Sequence, residues 1–224
     1  MANERGPNLD PGLVLYHYWR SSAAYRVRIA LNLKGLPYKL VPIHLVKDGG
    51  QQHQADFRSL NPQGLVPVLI HQGEAITQSM AICEYLDECF EAYPLLPGSA
   101  LQRARTRALV LNIACDIHPL NNLRVLQYIK TQFEPESGQT GWMHHWMDIG
   151  FTAVEKQLET DHPESGWLNG RAGLFECFLV PQVYNAERFD LDMSQYPLIR
   201  QIAERCRALP EFIEAAPENQ PDAT

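Results

Sequence analysis

An abrupt change of hydrophobic period near the N-terminus most constrains the fold. Residues 13–17 form a short apolar run rich in the β-branched and aromatic residues that strands favour. From Val27 to Leu33 the apolar positions repeat at helical spacing instead. Ser21 and Ser22 stand at the change, where helix N-caps are found. A strand that becomes a helix at paired serines leaves backbone N–H groups and hydroxyls available for an anion, although an ordinary capped helix shows the same pattern.

The first 90 residues continue this alternation in the order βαβαββα. Further strands are predicted at residues 38–43, 68–70 and 75–77, and further helices at 55–59 and 80–91, with Ser79 as a second N-cap. Pro67 at the entrance of the third strand cannot donate to a ladder, and a cis Val66–Pro67 bond is left open. A parallel pair joined by a helix, followed by a hairpin, predicts a thioredoxin-like α/β domain.

Prolines and a glycine within residues 93–99 interrupt this pattern and mark a linker. Beyond the linker only helical spacing remains, with an irregularity at Pro119; the predicted segments are 101–130, 140–158, 175–189, 196–209 and 211–215. The predicted organisation is therefore a flexible N-terminal extension at 1–12, a thioredoxin-like domain at 13–92, a linker at 93–99 and an all-helical domain at 100–224.

Composition and charge argue against several classes of function. The 224-residue chain has a formal net charge of −7, which argues against nucleic acid as a partner. No apolar run approaches the roughly 18 residues of a membrane span, and the polar N-terminus lacks a signal-peptide core, so a cytoplasmic protein without a membrane partner is expected. Five cysteines without a C-x-x-C pair argue against a zinc cluster, and we predict no metal site. Cys83, Cys115 and Cys177 lie in apolar helical patterns and are expected to be buried and inert.

Several stretches resemble the zeta class of cytosolic glutathione transferases. Residues 21–31 are similar to the pattern S-S-C-x-W-R-V-R-I-A-L of that class. Other matching stretches are 47–52, 60–62 with 66–67, 78–79 with 81–82, 180–183 with 185–189, and 220–222. The class includes maleylacetoacetate isomerases and maleylpyruvate isomerases. The resemblance implies glutathione as cofactor, a small dicarboxylate as substrate and a homodimer.

Two residues depart from the family pattern. Ala23 stands where the class has a cysteine, so any thiol chemistry is expected to come from bound glutathione. Gly173 opens a late helix where a serine or threonine is usual, with Glu176 three residues later. We expect a slightly weaker cap there, which Gly173→Thr would strengthen.

The resemblance also assigns roles to individual residues. Ser21, Ser22 and Arg20 would be catalytic: both serines would face the glutathione sulfur, and Arg20 immediately precedes them. Ala23 would be a further contact to glutathione. The remaining contacts to glutathione would come from Gln52, Val66, Pro67, Gln78, Ser79, His118 and Asn122. Three arginines would bind the dianionic substrate, namely Arg20, Arg124 and Arg188. Each residue also has a purely structural interpretation, such as a plain cap for Ser79, a plain turn for Pro67, a helix-interface hydrogen bond for His118 and a surface salt bridge for Arg188.

The implied reaction is isomerisation of maleylacetoacetate to fumarylacetoacetate, a step of tyrosine catabolism. A thiolate adds to the cis double bond, rotation follows, and elimination returns the thiol. Arg124 follows an Asn-x pair, as in maleylpyruvate isomerases, and keeps maleylpyruvate open as the substrate. Two other functions stay open: a transferase or dehalogenase acting on small haloacids, and a non-catalytic binding protein on the same fold.

Overall fold

A computed structural model describes residues 12–132, 136–161 and 166–224. The predicted flexible extension lies outside these residues, apart from Gly12. The chain divides into two compact units. One contains the described residues up to Phe90 together with Ala215–Thr224, and the other contains Glu91–Glu214. The predicted helical domain runs to residue 224, whereas here the final segment belongs to the first unit.

The first unit is built on a sheet that has four strands within the described residues. They are β1 (Val14–His17), β2 (Lys39–Pro42), β3 (Val68–His71) and β4 (Glu74–Thr77), in the spatial order β2-β1-β3-β4. β1 runs parallel to β2 and antiparallel to β3, and β3 pairs with β4 as a hairpin. The predicted parallel pair and hairpin are confirmed.

Three helices accompany the sheet: α1 (Ser22–Leu33), α2 (Ala55–Leu60) and α3 (Ser79–Cys89). Phe57 of α2 packs near Tyr16 of β1, with ring centroids 6.2 Å apart. On α3, the Tyr85 hydroxyl lies 2.7 Å from Nδ1 of His71 in β3. Tyr16 pairs with Val68, and the side chains of Val68 and His71 point to opposite faces, so α2 and α3 cover opposite sides of the sheet. The thioredoxin-like prediction is confirmed.

The second unit is helical throughout its regular elements, as predicted. Its helices are α4 (Ala100–Leu111), α5 (Leu123–Gln132), α6 (Glu136–Asp161), α7 (Leu174–Arg188), α8 (Pro197–Arg207) and α9 (Pro210–Ala215), the last of which ends at the unit boundary. Between α4 and α5 the chain forms a π-helical segment, Asn112–Ile117, and then a 3-10 helix, His118–Asn121. Pro119 has no N–H for the helical ladder, which accounts for this irregularity.

Cysteine burial agrees with the prediction at two positions and differs at a third. Cys83 and Cys177 are buried, and burial raises the pKa of the Cys83 thiol to about 12. Cys115 is exposed, so the prediction for it is wrong. It lies in the π-helical segment, where wider turns rotate side chains away from α-helical spacing. No disulfide joins the five cysteines, all of which lie in the described part of the chain.

The start of α7 corrects another expectation. Glu176 accepts hydrogen bonds from the backbone N–H of Gly173 at 2.8 Å and of Leu168 at 3.2 Å. A Cβ on Gly173 would lie 2.7 Å from the carbonyl oxygen of Leu95, which accepts the N–H of Leu174 at 2.8 Å. Threonine at position 173 would therefore collide with backbone, and the expectation that it strengthens the cap is wrong.

Candidate active site

Segments from all four strands meet at one end of the sheet. Tyr16 pairs with Val68, so the end of β1 lies beside the start of β3. Val68 also pairs with Thr77, which brings the end of β4 to the same place. β2 ends there too, because it runs parallel to β1. The sheet thereby brings together three groups of predicted site residues, at 20–23, 66–67 and 78–79.

Ser21 is the N-cap of α1. Its Oγ accepts the backbone N–H of Ala24 at 3.2 Å, and its own N–H donates to the carbonyl of Tyr18 at 2.9 Å. A hydroxyl has one proton and two lone pairs, and the cap uses a lone pair, so the proton can be donated to an anion. Ser22 is buried in the first turn, and Ala23 is half-buried beside it. Of the two serines, Ser21 is the cap.

Arg20 is exposed and stacks on the indole of Trp19, with its guanidinium carbon 4.0 Å from the ring centroid. Stacking engages the flat face of the guanidinium and leaves its in-plane N–H groups for a carboxylate. The Trp19 side chain is itself buried, so its ring is a fixed surface on which the guanidinium of Arg20 packs.

Val66 precedes Pro67 through a cis peptide bond, the form that the sequence left open. Val66 is buried in an apolar cluster with Tyr18, Trp19, Phe57 and Val68. This cluster joins the end of β1 to the entrance of β3 and thereby fixes the backbone of residues 66–67.

Helix α3 begins at Ser79, so the prediction of Ser79 as N-cap is wrong by one residue. Gln78 takes the cap position with a φ of +69°, a left-handed conformation that is strained for glutamine and is typical of ligand sites. Its Nε2 donates to Oε1 of Gln63 at 3.1 Å. Ser79 is buried, and its Oγ accepts from NH1 of Arg26 at 3.2 Å. Ser79, like Ser21, thus accepts a bond within the protein and keeps its hydroxyl proton for another acceptor.

Gln52 lies in the segment that follows β2. Its Nε2 donates to the carbonyl of Leu45 at 3.1 Å, and Leu45 packs against the apolar cluster that contains Val66. The buried Oε1 of Gln52 has no hydrogen-bond partner among the described residues. Gly50 has a φ of +95° and lies so close that a Cβ there would be 2.5 Å from Nε2. The amide is therefore packed in place with one acceptor left for a ligand.

The remaining predicted residues lie in the second unit. Asn122 immediately precedes α5, and its Oδ1 accepts the N–H of the exposed residue Arg124 at 3.2 Å. His118 is half-buried at the start of the 3-10 helix. Arg188 is exposed in the last turn of α7, with its guanidinium carbon 4.9 Å from the Phe189 ring centroid. His118, Asn122 and Arg124 thus share one short stretch, and Arg188 stands on another helix of this unit.

Sequence reasoning did not find the hydrogen-bond partners that support the site. Arg26 holds Ser79, and Asp222 accepts the backbone N–H of Trp19 at 3.2 Å. Both lie in stretches that match the family pattern, 21–31 and 220–222, which was the available signal. A pattern match gives no partner for a residue, so only the structure could pair them.

A thioredoxin-like unit whose serine-capped helix starts at the sheet end, followed by a helical unit, is the architecture of the cytosolic glutathione transferases. The profile of the glutathione S-transferase N-terminal domain matches residues 11–88. A probable maleylacetoacetate isomerase of Vibrio cholerae is 54% identical over 213 residues, which cover 94% of this chain and 98% of that protein.

Two solved structures of isomerases are similar to this chain over nearly their whole length. The holo structure of maleylpyruvate isomerase, a bacterial zeta-class glutathione S-transferase, superposes with a TM-score of 0.90 at 43% identity and covers 94% of this chain and 100% of its own. A maleylacetoacetate isomerase from Methylobacterium extorquens AM1, with bound malonate and glutathione, gives a TM-score of 0.89 at 36% identity. The match covers 94% of this chain and 99% of that chain. The chain belongs to the glutathione S-transferase family, in its zeta class.

Proposed function

We propose that this protein is a glutathione-dependent cis–trans isomerase that converts maleylacetoacetate to fumarylacetoacetate. The observation that carries the proposal is Ser21: a hydroxyl at the N-terminus of α1, at the sheet end where Val66 and Ser79 also lie. Its cap bond uses a lone pair and leaves its proton to donate. The Vibrio cholerae relative supports maleylacetoacetate as the substrate.

The donors and acceptors at this sheet end fit a tripeptide. Ser79 and Gln78 offer a hydroxyl and an amide at the N-terminus of α3, which suits the γ-glutamyl carboxylate. The backbone of Val66 would pair with the cysteinyl unit, beside Pro67. Oε1 of Gln52, the buried acceptor without a partner among the described residues, suits the N–H at the glycyl end. His118 and Asn122 are proposed as further contacts.

Bound glutathione supplies the thiolate that adds to the cis double bond and leaves again after rotation about the resulting single bond. The Ser21 hydroxyl would donate a hydrogen bond to the sulfur, and the N-terminus of α1 would favour negative charge there. Ser22 contributes the first turn of the same helix. Ala23 carries no nucleophile, so no protein thiol is needed at this turn.

Arginines would hold the substrate. Arg20 presents its N–H groups beside Ser21, where they can bind a carboxylate and stabilise negative charge that develops on a substrate oxygen. Arg188 and Arg124 are proposed for the remaining carboxylate. Maleylpyruvate is the second candidate substrate, favoured by the exposed Arg124 and by the 43% identical maleylpyruvate isomerase.

Isomerisation followed by ultraviolet absorbance, with maleylacetoacetate (or maleylacetone) and maleylpyruvate side by side, tests the proposal. We expect turnover that needs glutathione without loss of free thiol, and the ratio of kcat/KM values selects the substrate. Consumption of thiol, with haloacids as substrates, would instead establish a transferase or dehalogenase. Absence of any turnover in protein that binds glutathione would contradict the isomerase.

We also propose a homodimer and a cytoplasmic location. Leu101 and Leu111 are exposed on α4 at 62% and 41%, and each is an apolar side chain that a second copy of the chain would bury. Sedimentation equilibrium at micromolar concentration would show a monomer if the homodimer proposal is wrong.

The absence of disulfides among the five described cysteines fits a reducing compartment, which cell fractionation can check. In the described chain, no helix combines the length and apolar character of a membrane span.

A further inference from the structure

The C-terminal segment returns to the turn that carries Ser21. It forms a 3-10 turn at Pro217–Asn219, and Nε2 of Gln220 donates to the carbonyl of Ala216 at 2.9 Å. Ala223 then packs against the apolar cluster that includes Trp19 and Val66. The end of the chain is therefore part of the first unit at its candidate site.

Trp19 is held at both of its backbone polar groups. Its N–H donates to Oδ2 of Asp222 at 3.2 Å, and its carbonyl accepts from NH2 of Arg28 at 3.2 Å. Arg28 is fully buried, and its Nε donates to the carbonyl of Ala215 at 2.9 Å. His17 lies between the two charges, 3.4 Å from Arg28 and 3.6 Å from Asp222. We call these residues, 17, 19, 28, 215 and 222, the terminal clamp.

One peptide plane links the clamp to Ser21. The plane between Tyr18 and Trp19 carries the N–H that Asp222 accepts. The carbonyl of the same plane accepts the N–H of Ser21 at 2.9 Å. A rotation of this plane would therefore move Ser21 and, through the Trp19 side chain, the stacked Arg20.

We propose that Asp222 is a positioning residue for the isomerisation, holding the Tyr18–Trp19 peptide plane so that the Ser21 hydroxyl points at the glutathione sulfur. The inference rests on the proposed role of Ser21. A carboxylate suits this task because it accepts a charge-assisted hydrogen bond from the N–H while it faces Arg28 across His17. Misplacement of a catalytic group by about 1 Å can cost roughly 100-fold in rate, so a small release of the plane would be measurable.

The experiment compares Asp222→Ala and Asp222→Asn with a charge-matched control, Glu218→Gln, on the same segment. Glu218 is exposed, so its change removes one negative charge and leaves the acceptor for Trp19 in place. Two quantities are measured: kcat and KM of isomerisation, and the pKa of the bound glutathione thiol from its thiolate absorbance. The second readout needs no isomerase substrate, so it tests the clamp even if the proposed function fails.

For Asp222→Ala we expect kcat to fall about 10-fold or more, the bound thiol pKa to rise, and KM for glutathione to change less than about twofold. Asp222→Asn should recover most of the loss, because its amide oxygen can accept the Trp19 N–H. Glu218→Gln should match the wild type. If Asp222→Ala does not fold, Asp222→Ser, whose hydroxyl is shorter, replaces it. A folded variant with unchanged kcat and unchanged thiol pKa would reduce Asp222 to a stabilising residue and overturn the proposal.

Discussion

NH1 of Arg26 donates to Oγ of Ser79 across 3.2 Å in the interior of the first unit. The bond joins the middle of α1 to the first residue of α3, and both side chains are buried. At Ser21 the donor is instead the backbone N–H of Ala24, again at 3.2 Å. Both serine hydroxyls therefore accept a hydrogen bond from the protein and keep their own proton to donate to a ligand. An anionic ligand requires hydrogen-bond donors of this kind.

Ser79→Ala should weaken glutathione binding. The variant removes the hydroxyl proposed for the γ-glutamyl carboxylate, and we expect Kd to rise about tenfold, in line with roughly 1.5 kcal/mol for a hydrogen bond to a charged group. Calorimetric titration measures this, while kcat at saturating glutathione should stay within about twofold. Ser59→Ala is the matched control, because Ser59 is exposed and its Oγ donates within its own helix, to the carbonyl of Asp56 at 2.6 Å. Equal Kd values in both variants would remove Ser79 from the site.

Ser21→Ala should lower kcat far more than glutathione affinity. Loss of one preorganised donor costs on the order of 100-fold in kcat. The variant also loses an N-cap, worth about 1 kcal/mol of stability, so the two effects must be separated. Ser99→Ala removes the N-cap of α4, where Ser99 Oγ accepts from Gln102 N at 3.4 Å, and should lower stability alone. Wild-type turnover in Ser21→Ala would move the donor role to another residue.

Most of the fold could be predicted because local signals agree with it. The order of strands and helices along the first unit, the hairpin and both ends of α1 follow from hydrophobic period and from residues such as Ser21 and Gly35, the latter with a φ of +63° after α1. Cys115 was misjudged because a π-helical segment changes the period within an otherwise helical pattern. The return of the C-terminal segment to the first unit depends on contacts between residues about 200 positions apart, which no local signal encodes.

The candidate site could be predicted only as a set of residues. The serines stand out as N-cap candidates, and the family resemblance then assigns roles to them and to the glutamines and arginines. The register of β1, β3 and β4 explains why three of these groups converge. Their internal partners, Arg26 for Ser79 and Asp222 for Trp19, depend on side-chain packing that sequence period does not report.

Gly173→Ala should destabilise the protein. The added Cβ would approach the Leu95 carbonyl oxygen to 2.7 Å, and overpacking of this kind costs about 1–3 kcal/mol. The control is Gly141→Ala on the exposed surface of α6, where a Cβ meets nothing within 4 Å and should stabilise by about 0.5–1 kcal/mol. Thermal unfolding of the two variants should therefore shift in opposite directions. A higher melting temperature for Gly173→Ala would show that the start of α7 yields to the methyl group.

Arg188→Ala should raise KM for the dianionic substrate. An arginine–carboxylate contact is worth about 1.5–3 kcal/mol, so KM should rise roughly 10- to 100-fold with a smaller change in kcat. Arg200→Ala is the control, since Arg200 is also exposed and its ion pair with Glu204, at 3.6 Å, is a surface pair on α8. The same pair of assays with Arg124→Ala, on both substrates, would show whether Arg124 discriminates maleylpyruvate. An unchanged KM in Arg188→Ala would assign that arginine to structure.

Stability should fall as the pH drops from about 6.5 toward 4, because of His17. Burial, and then the positive charge of Arg28, lower the pKa of His17 from 6.5 to about 4, against an opposing effect of Asp222. The unfolded chain takes up a proton near pH 6.5 while the folded chain does not, so acid favours the unfolded state across this window. The whole shift corresponds to about 3 kcal/mol.

Urea unfolding of the wild type and of His17→Gln, at about pH 7 and about pH 4.5, isolates this effect. Glutamine is close in size and does not titrate, whereas the carboxylates of both proteins titrate alike. The wild type should lose about 2–3 kcal/mol more than the variant between the two pH values. If both proteins lose the same unfolding free energy between the two pH values, His17 takes up its proton equally well in the folded state. A protonated His17 would then lie between Arg28 and Asp222.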